Sequence, residues 1–262
     1  MASCSENHPL VSIITPSYNC SQYIDETIKS IQAQTYKNWE LLITDDCSSD
    51  NTVEKIKQFA DEDSRIKLFR LDENFGAGAA RNNSIDKAKG RFIAFCDSDD
   101  KWFPNKLEKQ LEFMKSKDVA LSYTSYMTCD ENGNVNGIVV CRKKETLNSM
   151  CKDDKMGFLT VVYDVEKIGK VFMPLMRKRQ DWALKLRLLK LCEAAYGMKE
   201  PLAYYRLRKN SISSNKRSLI KYNINVYKEE LGWSTMKANI FFYFVFLPTY
   251  LKKRLFLKYL NR

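Results

Sequence analysis

"RFIAFCDSDDKWFP", residues 91–104, decides how the rest of the chain reads. Its first half is a short apolar run suited to a strand buried on both faces. Its second half releases three carboxylates, Asp97, Asp99 and Asp100, where that strand must end. Working backward, the runs "LVSIIT" (10–15), "WELLIT" (39–44) and "RIKLFRL" (65–71) alternate with helical patterns at 23–34, 48–62 and 78–90. The second of these helices opens on Ser and Asp capping candidates and sets Val53, Ile56, Phe59 and Ala60 on one face; Gly90 is expected to stop the third. Strand–helix alternation at this spacing implies α/β architecture, a parallel sheet covered on both faces. In such sheets ligands bind beyond the carboxyl ends of the strands.

Working forward, "PNKLEKQLEFMKS" (104–116) reads as a helix with Pro104 in its first turn. "VALSYTSYMTC" and "NVNGIVVC" flank "DENG", a hairpin signal. Residues 142–156 read as a charged loop, 180–195 as an amphipathic helix and 199–208 as a late strand. There is no internal repeat and no Gly/Ser/Pro linker, so one α/β domain with a C-terminal extension is the expected organisation. A chain of 262 residues with 44% hydrophobic and 12% aromatic side chains can bury one large core and is not disordered. Its eight cysteines include no CxxC pair and no metal-ligand spacing, and the N-terminus lacks the basic-then-apolar pattern of a secretion signal. Free thiols in the reducing cytoplasm are the expectation. The net charge of +11 falls entirely in residues 201–262, where 13 Lys and Arg face only Glu229 and Glu230.

Each early strand ends in polar groups: "TPSYN" (15–19), "TDDCSSDNT" (44–52), "LDENFGAGAARN" (71–82) and "CDSDD" (96–100). One acidic turn is usually just solvated, but four polar strand ends on one edge make a ligand edge. Clustered carboxylates repel and raise one another's pKa, so they need a cation. An oxygen-rich, His-poor and Cys-free set points to Mg²⁺ or Mn²⁺ holding a diphosphate. "GAGAAR" has the start of a dinucleotide fingerprint, but Arg81 stands in the third glycine's place and the motif follows the third strand. It fits better as a turn that delivers Arg81 from a helix N-terminus toward anionic groups.

At this point "VSIITPSYNCSQYIDETIKSIQAQTYKNWELLITDDCSSDNT", "NFGAGAARN" and "FIAFCDSDDKWFPNKLEKQ" together resemble the N-terminal half of family 2 glycosyltransferases. The resemblance implies the GT-A nucleotide-diphospho-sugar transferase fold, with a Rossmann-like, mostly parallel sheet and helices on both faces. It implies a nucleotide-sugar half over about 9–110, an acceptor half over about 111–213 and a basic extension over 214–262. By the same resemblance, Thr15, Pro16, Tyr18 and Asn19 line the nucleotide pocket, and Asp46, with Asp45 beside it, binds the base edge. Arg81 and Asn74 would lie near base and ribose. Asp97, Ser98 and Asp99 match the DxD motif, Asp97 toward the ribose and Asp99 toward the metal, with Asp100 extending the acidic edge.

The family's base lies in an acidic pair before a Trp; here "KRQDW" keeps Asp181 before Trp182 and has Gln180 for the first acid. Asp181 is therefore the expected general base, and capping the helix is its other reading. Where relatives carry a His in a "YRxH"-like segment, "YYRLR" has Arg206 followed by Arg208 in the histidine's place. Arginine cannot ligate a metal but pairs with phosphate. The only histidine is His8.

The implied activity is inverting hexosyl transfer from a nucleotide-sugar, with uridine as the base, to a hydroxyl of a glycan or polyprenyl-lipid-linked acceptor in bacterial capsule, O-antigen or exopolysaccharide synthesis. Two other readings stay open. A related nucleotidyltransferase would carry a Gly-rich basic loop where this chain has "TPSYN". A nucleic-acid-binding protein would use the basic tail, but that tail is aromatic and accompanies no nucleic-acid motif, so no nucleic-acid partner is expected. The tail itself, "ANIFFYFVFLPTYLKKRLFLKYLNR" (238–262), has an apolar run from Ile240 to Leu251, shorter than the roughly 20 residues of a membrane span. Lys252, Lys253, Arg254, Lys258 and Arg262 follow, interleaved with Leu255, Phe256, Leu257 and Tyr259. This fits an element lying on the anionic inner face of the cell membrane; packing on the body or a dimer seam is the alternative.

Overall fold

Strands and helices alternate through the first half of the computed structural model, which describes residues 8–208 and 219–252. In order come β1 (Val11–Ser17), α1 (Ile24–Gln32), β2 (Trp39–Asp45), α2 (Thr52–Glu62), β3 (Ile66–Arg70), α3 (Ala77–Lys87) and β4 (Phe92–Phe95). A two-residue β5 (Lys101–Trp102) and α4 (Lys106–Lys117) lead to β6 (Leu121–Cys129), β7 (Val135–Val139), β8 (Lys144–Glu145) and α5 (Leu147–Lys152). Then follow β9 (Val162–Asp164), α6 (Val165–Ile168), α7 (Gln180–Leu191), β10 (Ala195–Arg206), α8 (Leu219–Leu231) and α9 (Thr235–Phe241). The strands form one ten-stranded sheet with the path β3-β2-β1-β4-β9-β6-β10-β5. β3, β2, β1 and β4 are mutually parallel, β9 runs antiparallel between β4 and β6, and β6 pairs in parallel with β10.

Alternation within the strands feeds two cores. Val11 and Ile13 of β1 pack with Ile24, Ile28 and Ile56 of α1 and α2, whereas Ile14 packs on the other face with Ile85 of α3 and Trp182 of α7. Residues of one strand with period two therefore meet helices on both sides, as the sequence pattern requires.

Several boundaries differ from the sequence reading. α3 ends at Lys87, before Gly90, because the N–H groups of Lys89 and Gly90 bond Glu40 Oε1 and Ser12 Oγ instead of helix carbonyls. Pro104 precedes α4 rather than sitting in its first turn, and its carbonyl accepts from Thr35 N. The expected loop at 142–156 contains β8 and α5, the latter closed by a capping box between Thr146 and Ser149. α7 stops at Leu191 because extended Cys192 leads into β10, which starts four residues earlier than expected. β9 has no counterpart in the sequence reading: three residues buried on both faces give no period to detect. The "DENG" hairpin joins β6 to β7, with Gly133 N bonded to Asp130 O.

The described part of the tail packs on the body. Ala238, Phe242 and Phe246 are buried in the core that holds Trp182, whose ring centroid is 5.6 Å from that of Phe246. A π-helical turn, Phe242–Phe246, comes just before Pro248, which has no N–H for the carbonyl four residues back. Met236, Ile240, Tyr243, Phe244 and Leu251 remain exposed. The first half of the tail thus has one face on the protein, the alternative held open from the sequence, and one face exposed; residues 253–262, with most of the cations, lie outside the described residues. Among the described residues no helix is long and apolar enough to cross a membrane, and the seven described cysteines are free.

One buried cation stands apart from the site. Lys106 is fully buried in the first turn of α4, its ammonium 3.9 Å from the Trp102 ring centroid and donating to Gln110 Oε1 at 3.0 Å. Burial pulls its pKa down from 10.5 to about 7. The folded protein thus holds this proton less tightly than the unfolded chain, and the penalty is full below the folded value and fades as pH rises toward the unfolded one. Lys106→Met should raise the unfolding free energy by about 2–4 kcal/mol at pH 7, with the gain shrinking toward pH ~10.5, in urea titrations across that range. A variant no more stable than wild type at pH 7 would contradict this assignment.

Candidate active site

Sheet register aligns the strand ends. Ser17 pairs with Asp45, which pairs with Arg70, and Ile14 pairs with Phe95, so Thr15 lies beside Cys96. The four polar segments read from the sequence therefore lie along one edge, as expected of such a sheet.

Two of the acids on this edge support it from within. Asp45 is fully buried; its carboxylate accepts from Ser48 N at 2.8 Å, Ser48 Oγ at 2.5 Å and Ser17 Oγ at 3.0 Å. That inward engagement corrects its assignment to a ligand's base edge. Asp46, 3% exposed, accepts from Phe75 N and Gly76 N, both at 2.8 Å. Burial raises its pKa against the pull of those two N–H groups. The turn it holds has Gly76 at φ +89°, a conformation that favours glycine, and it launches α3 with Arg81 in its second turn. Asn74 is exposed in that turn. Thr15 and Pro16 are buried at the end of β1, while Tyr18 and Asn19 are exposed, with Asn19 Oδ1 accepting from Ser49 N.

The "DSDD" carboxylates meet three arginines. Arg81 Nη2 bonds Asp97 Oδ1 at 2.6 Å, and Arg208 Nη1 lies 3.1 Å from Asp99 Oδ2. Ser98 is half-buried between them. Arg206 is almost wholly buried and works as a brace: it donates to Asp99 O, Glu131 O and Glu26 Oε2, and its own N–H bonds Asp100 Oδ1 at 2.9 Å. Asp100 is therefore an internal anchor, correcting its reading as part of the open acidic edge. Burial pushes both Asp99 and Asp100 above the usual carboxylate range, Asp100 well above, and neighbouring acids add to the push. Each ion pair leaves one oxygen of Asp97 and of Asp99 outside it. Among the described residues no group of three His, Cys, Asp or Glu is arranged to hold a metal.

Asp181 stands in the first turn of α7, not at its N-cap, which is Arg179 in the left-handed region at φ +66°. Its side chain is 42% exposed, and Oδ2 lies 3.7 Å from Lys185 Nζ. Its crowded setting pushes the pKa up, but Lys185, Arg179 and, farther off, Arg81 prevail and hold it below the usual range. Trp182 is buried and donates to Met150 O at 3.0 Å. Gln180 lies flat on Gly78: a Cβ there would come within 2.8 Å of its side chain, so glycine lets the α7 and α3 N-termini meet. This packing brings Asp181 toward the Arg81–Asp97 pair. Sequence reasoning missed Gln180's partner glycine, Glu26, and the buried Asp154–Lys185 pair; only "GAG" carried a signal for any of them. Several buried polar atoms gather here without a protein partner, Thr15 Oγ1, Arg81 Nε, Asp100 Oδ2 and Arg179 Nε. Such atoms also occur away from this edge, at Asp25, Trp39, Asn223 and Glu230, but those of Thr15 and Arg81 are available to an outside ligand at the strand ends.

Residues 12–163 match the model of glycosyl transferase family 2. The chain belongs to that family. It is a glycosyltransferase. It is 46% identical over 231 residues to TuaG of Bacillus subtilis, assigned to teichuronic acid biosynthesis, covering 88% of this chain and 92% of that one. It is 43% identical to WfgD of Escherichia coli, a UDP-Glc:α-D-GlcNAc-diphosphoundecaprenol β-1,3-glucosyltransferase, over 81% of this chain and 83% of that one. Among solved structures, Staphylococcus aureus TarS bound to UDP-GlcNAc aligns with a TM-score of 0.68 at 18% identity, covering 87% of this chain and 69% of that chain. A Pyrobaculum calidifontis mannosyltransferase with GDP-Man and Mn²⁺ aligns at 0.67 and 16%, covering 92% of this chain and 72% of that one. The fold of this family 2 enzyme is thus GT-A.

Arg206→Ala should cost about 2–4 kcal/mol of unfolding free energy, because it removes a buried guanidinium that ties the Asp99 and Glu131 carbonyls together, while Glu26 keeps Lys101 as its partner. Urea unfolding checks this; a loss below ~0.5 kcal/mol would show that the brace is dispensable.

Proposed function

We propose that this enzyme moves a hexose from a UDP-linked donor to a hydroxyl of a polyprenyl-diphosphate-linked glycan, in synthesis of a cell-surface polysaccharide. The observation that carries the reading is the juxtaposition of an open carboxylate, Asp181, with a strand edge of paired acids and arginines. The named relatives support the choice of substrates, since WfgD takes UDP-Glc and a lipid-linked acceptor. Tyr18, Asn19, Asn74 and Arg81 would border the nucleoside, with Thr15, Pro16 and Asp46 shaping the pocket behind them. Asp97 and Ser98 would face the ribose, and Arg208 would turn from Asp99 to the diphosphate.

The donor set fits a divalent ion. The pKa values of Asp99 and Asp100 are raised by burial and by like charge, an excess of acid that a cation relieves. Asp99 and Asp97 would hold Mg²⁺ or Mn²⁺, which supplies neutralisation of the diphosphate's charge. Asp181, ionised at neutral pH, accepts the proton of the acceptor hydroxyl as its oxygen attacks the anomeric carbon from the face opposite the diphosphate. One displacement inverts the configuration and needs no covalent nucleophile.

The exposed residues Met236, Ile240, Tyr243, Phe244 and Leu251, followed by Lys252, fit peripheral attachment of 214–262 to the cytoplasmic membrane face, where a polyprenyl-linked acceptor resides. Phe244, 78% exposed, is the most open aromatic among the described residues. Changing both Tyr243 and Phe244 to Glu should weaken binding to anionic vesicles by about tenfold in flotation, leaving transfer to a water-soluble acceptor intact. Unchanged flotation would remove the membrane role from this face.

Asp181→Asn should lower turnover by roughly 100-fold or more with donor affinity unaltered, measured by transfer kinetics and calorimetric UDP-sugar binding. Turnover near the wild-type value would refute the base assignment.

A further inference from the structure

We propose that Asp154 and Lys185 are positioning residues for Asp181: Asp154 saturates the Lys185 ammonium, so that Lys185 lends Asp181 its charge but none of its hydrogen bonds. This rests on the reading of Asp181 as the base.

Lys185 follows Asp181 by one turn of α7 and is 1% exposed. Its Nζ donates to Asp154 Oδ1 at 2.7 Å, Asp154 Oδ2 at 2.8 Å and Met156 O at 2.9 Å. An ammonium has three N–H groups, and these three acceptors use them all. Asp181 Oδ2, at 3.7 Å, is beyond hydrogen-bond range but well inside the range of the charge. The distinction matters for a base. A carboxylate bonded directly to an ammonium must give up that bond when it takes a proton, whereas one stabilised from beside keeps its lone pairs for the acceptor hydroxyl.

The surroundings favour this division. Asp181 is 42% exposed, Asp154 only 19%. Burial pushes Asp154 upward while Lys185 opposes it, and the Asp181 charge pushes it further up. The other charged and titratable groups facing the pair are Arg179 at the N-cap of α7, Arg81 on α3 and the Tyr126 hydroxyl on β6. The Phe158 ring lies 5.1 Å from the Arg81 guanidinium and 6.0 Å from Lys185 Nζ, an apolar surface near both cations.

A purely structural brace between α7 and the 153–156 segment would predict lost stability and nothing specific about proton affinity. Positioning predicts signed shifts in the acidic limb of the kcat/KM profile of the full-length enzyme. In Asp154→Asn the ammonium's charge falls on Asp181 alone, so the limb should move down by about one pH unit and kcat should fall about tenfold. Lys185→Arg keeps the charge and the buried pair but adds N–H groups that reach Asp181, so it should move the limb down as well. Lys185→Met removes the cation between two carboxylates and should move it up by about one unit. Because Lys185→Arg preserves the pair, it keeps the test available should the other variants fail to fold. Limbs unmoved in every folded variant would overturn the proposal while an inactive Asp181→Asn left the base reading standing. Full activity in Asp181→Asn would instead remove the base reading itself.

Discussion

Three carboxylates crowded at one strand end repel one another, and much of the surrounding architecture follows from what offsets that repulsion. Water alone cannot, because Asp100 is 1% exposed and Asp99 is only 23% exposed. The offset comes from arginines on elements far apart in sequence: Arg81 on α3, and Arg206 and Arg208 at the end of β10. β10 reaches this place by pairing with β6 and with the short β5, whose Lys101 and Trp102 immediately follow the acids. The sheet's far side is therefore anchored to the acidic loop as much as to its own apolar core.

The arginines divide the work. Each nitrogen of the Arg206 guanidinium bonds a backbone carbonyl or Glu26, so its task is to fix the loop. Arg81 and Arg208 each hold one oxygen of one acid, contacts that a phosphate or a cation can replace. On our reading the same groups that make the loop foldable make it ready for a charged donor. The Asp181 side is built on the same principle, with Lys185 balanced between two acids and α7 brought close by the Gln180–Gly78 contact.

Much of this was legible in the sequence, for physical reasons that differ by element. β1, β2 and β4 were readable because strands buried on both faces are largely apolar runs, and β3, a half-buried edge strand, because its apolar and charged residues alternate; their polar ends stood out by contrast. Arg81 and Asp181 were visible because their segments resemble a family motif. Asp45 and Asp100 were misjudged because the sequence shows a carboxylate but not the direction it faces; burial and serine or backbone partners turn both inward. Asp154 and Lys185 were invisible because a buried ion pair between a loop and a helix has no local pattern. The tail was half legible. Its aromatics looked uniform in sequence, and only the docking of Phe242 and Phe246 against Trp182 separates the face that packs from the face left open.

The central claim is that the strand-end acids exist to hold a cation together with a diphosphate. Electron paramagnetic resonance of Mn²⁺ tests it without relying on turnover. The account predicts weak Mn²⁺ binding by the enzyme alone, at least tenfold tighter binding when UDP is added, and loss of that gain in Asp99→Asn. Mn²⁺ binding that is indifferent to UDP, or unaltered in Asp99→Asn, would contradict it.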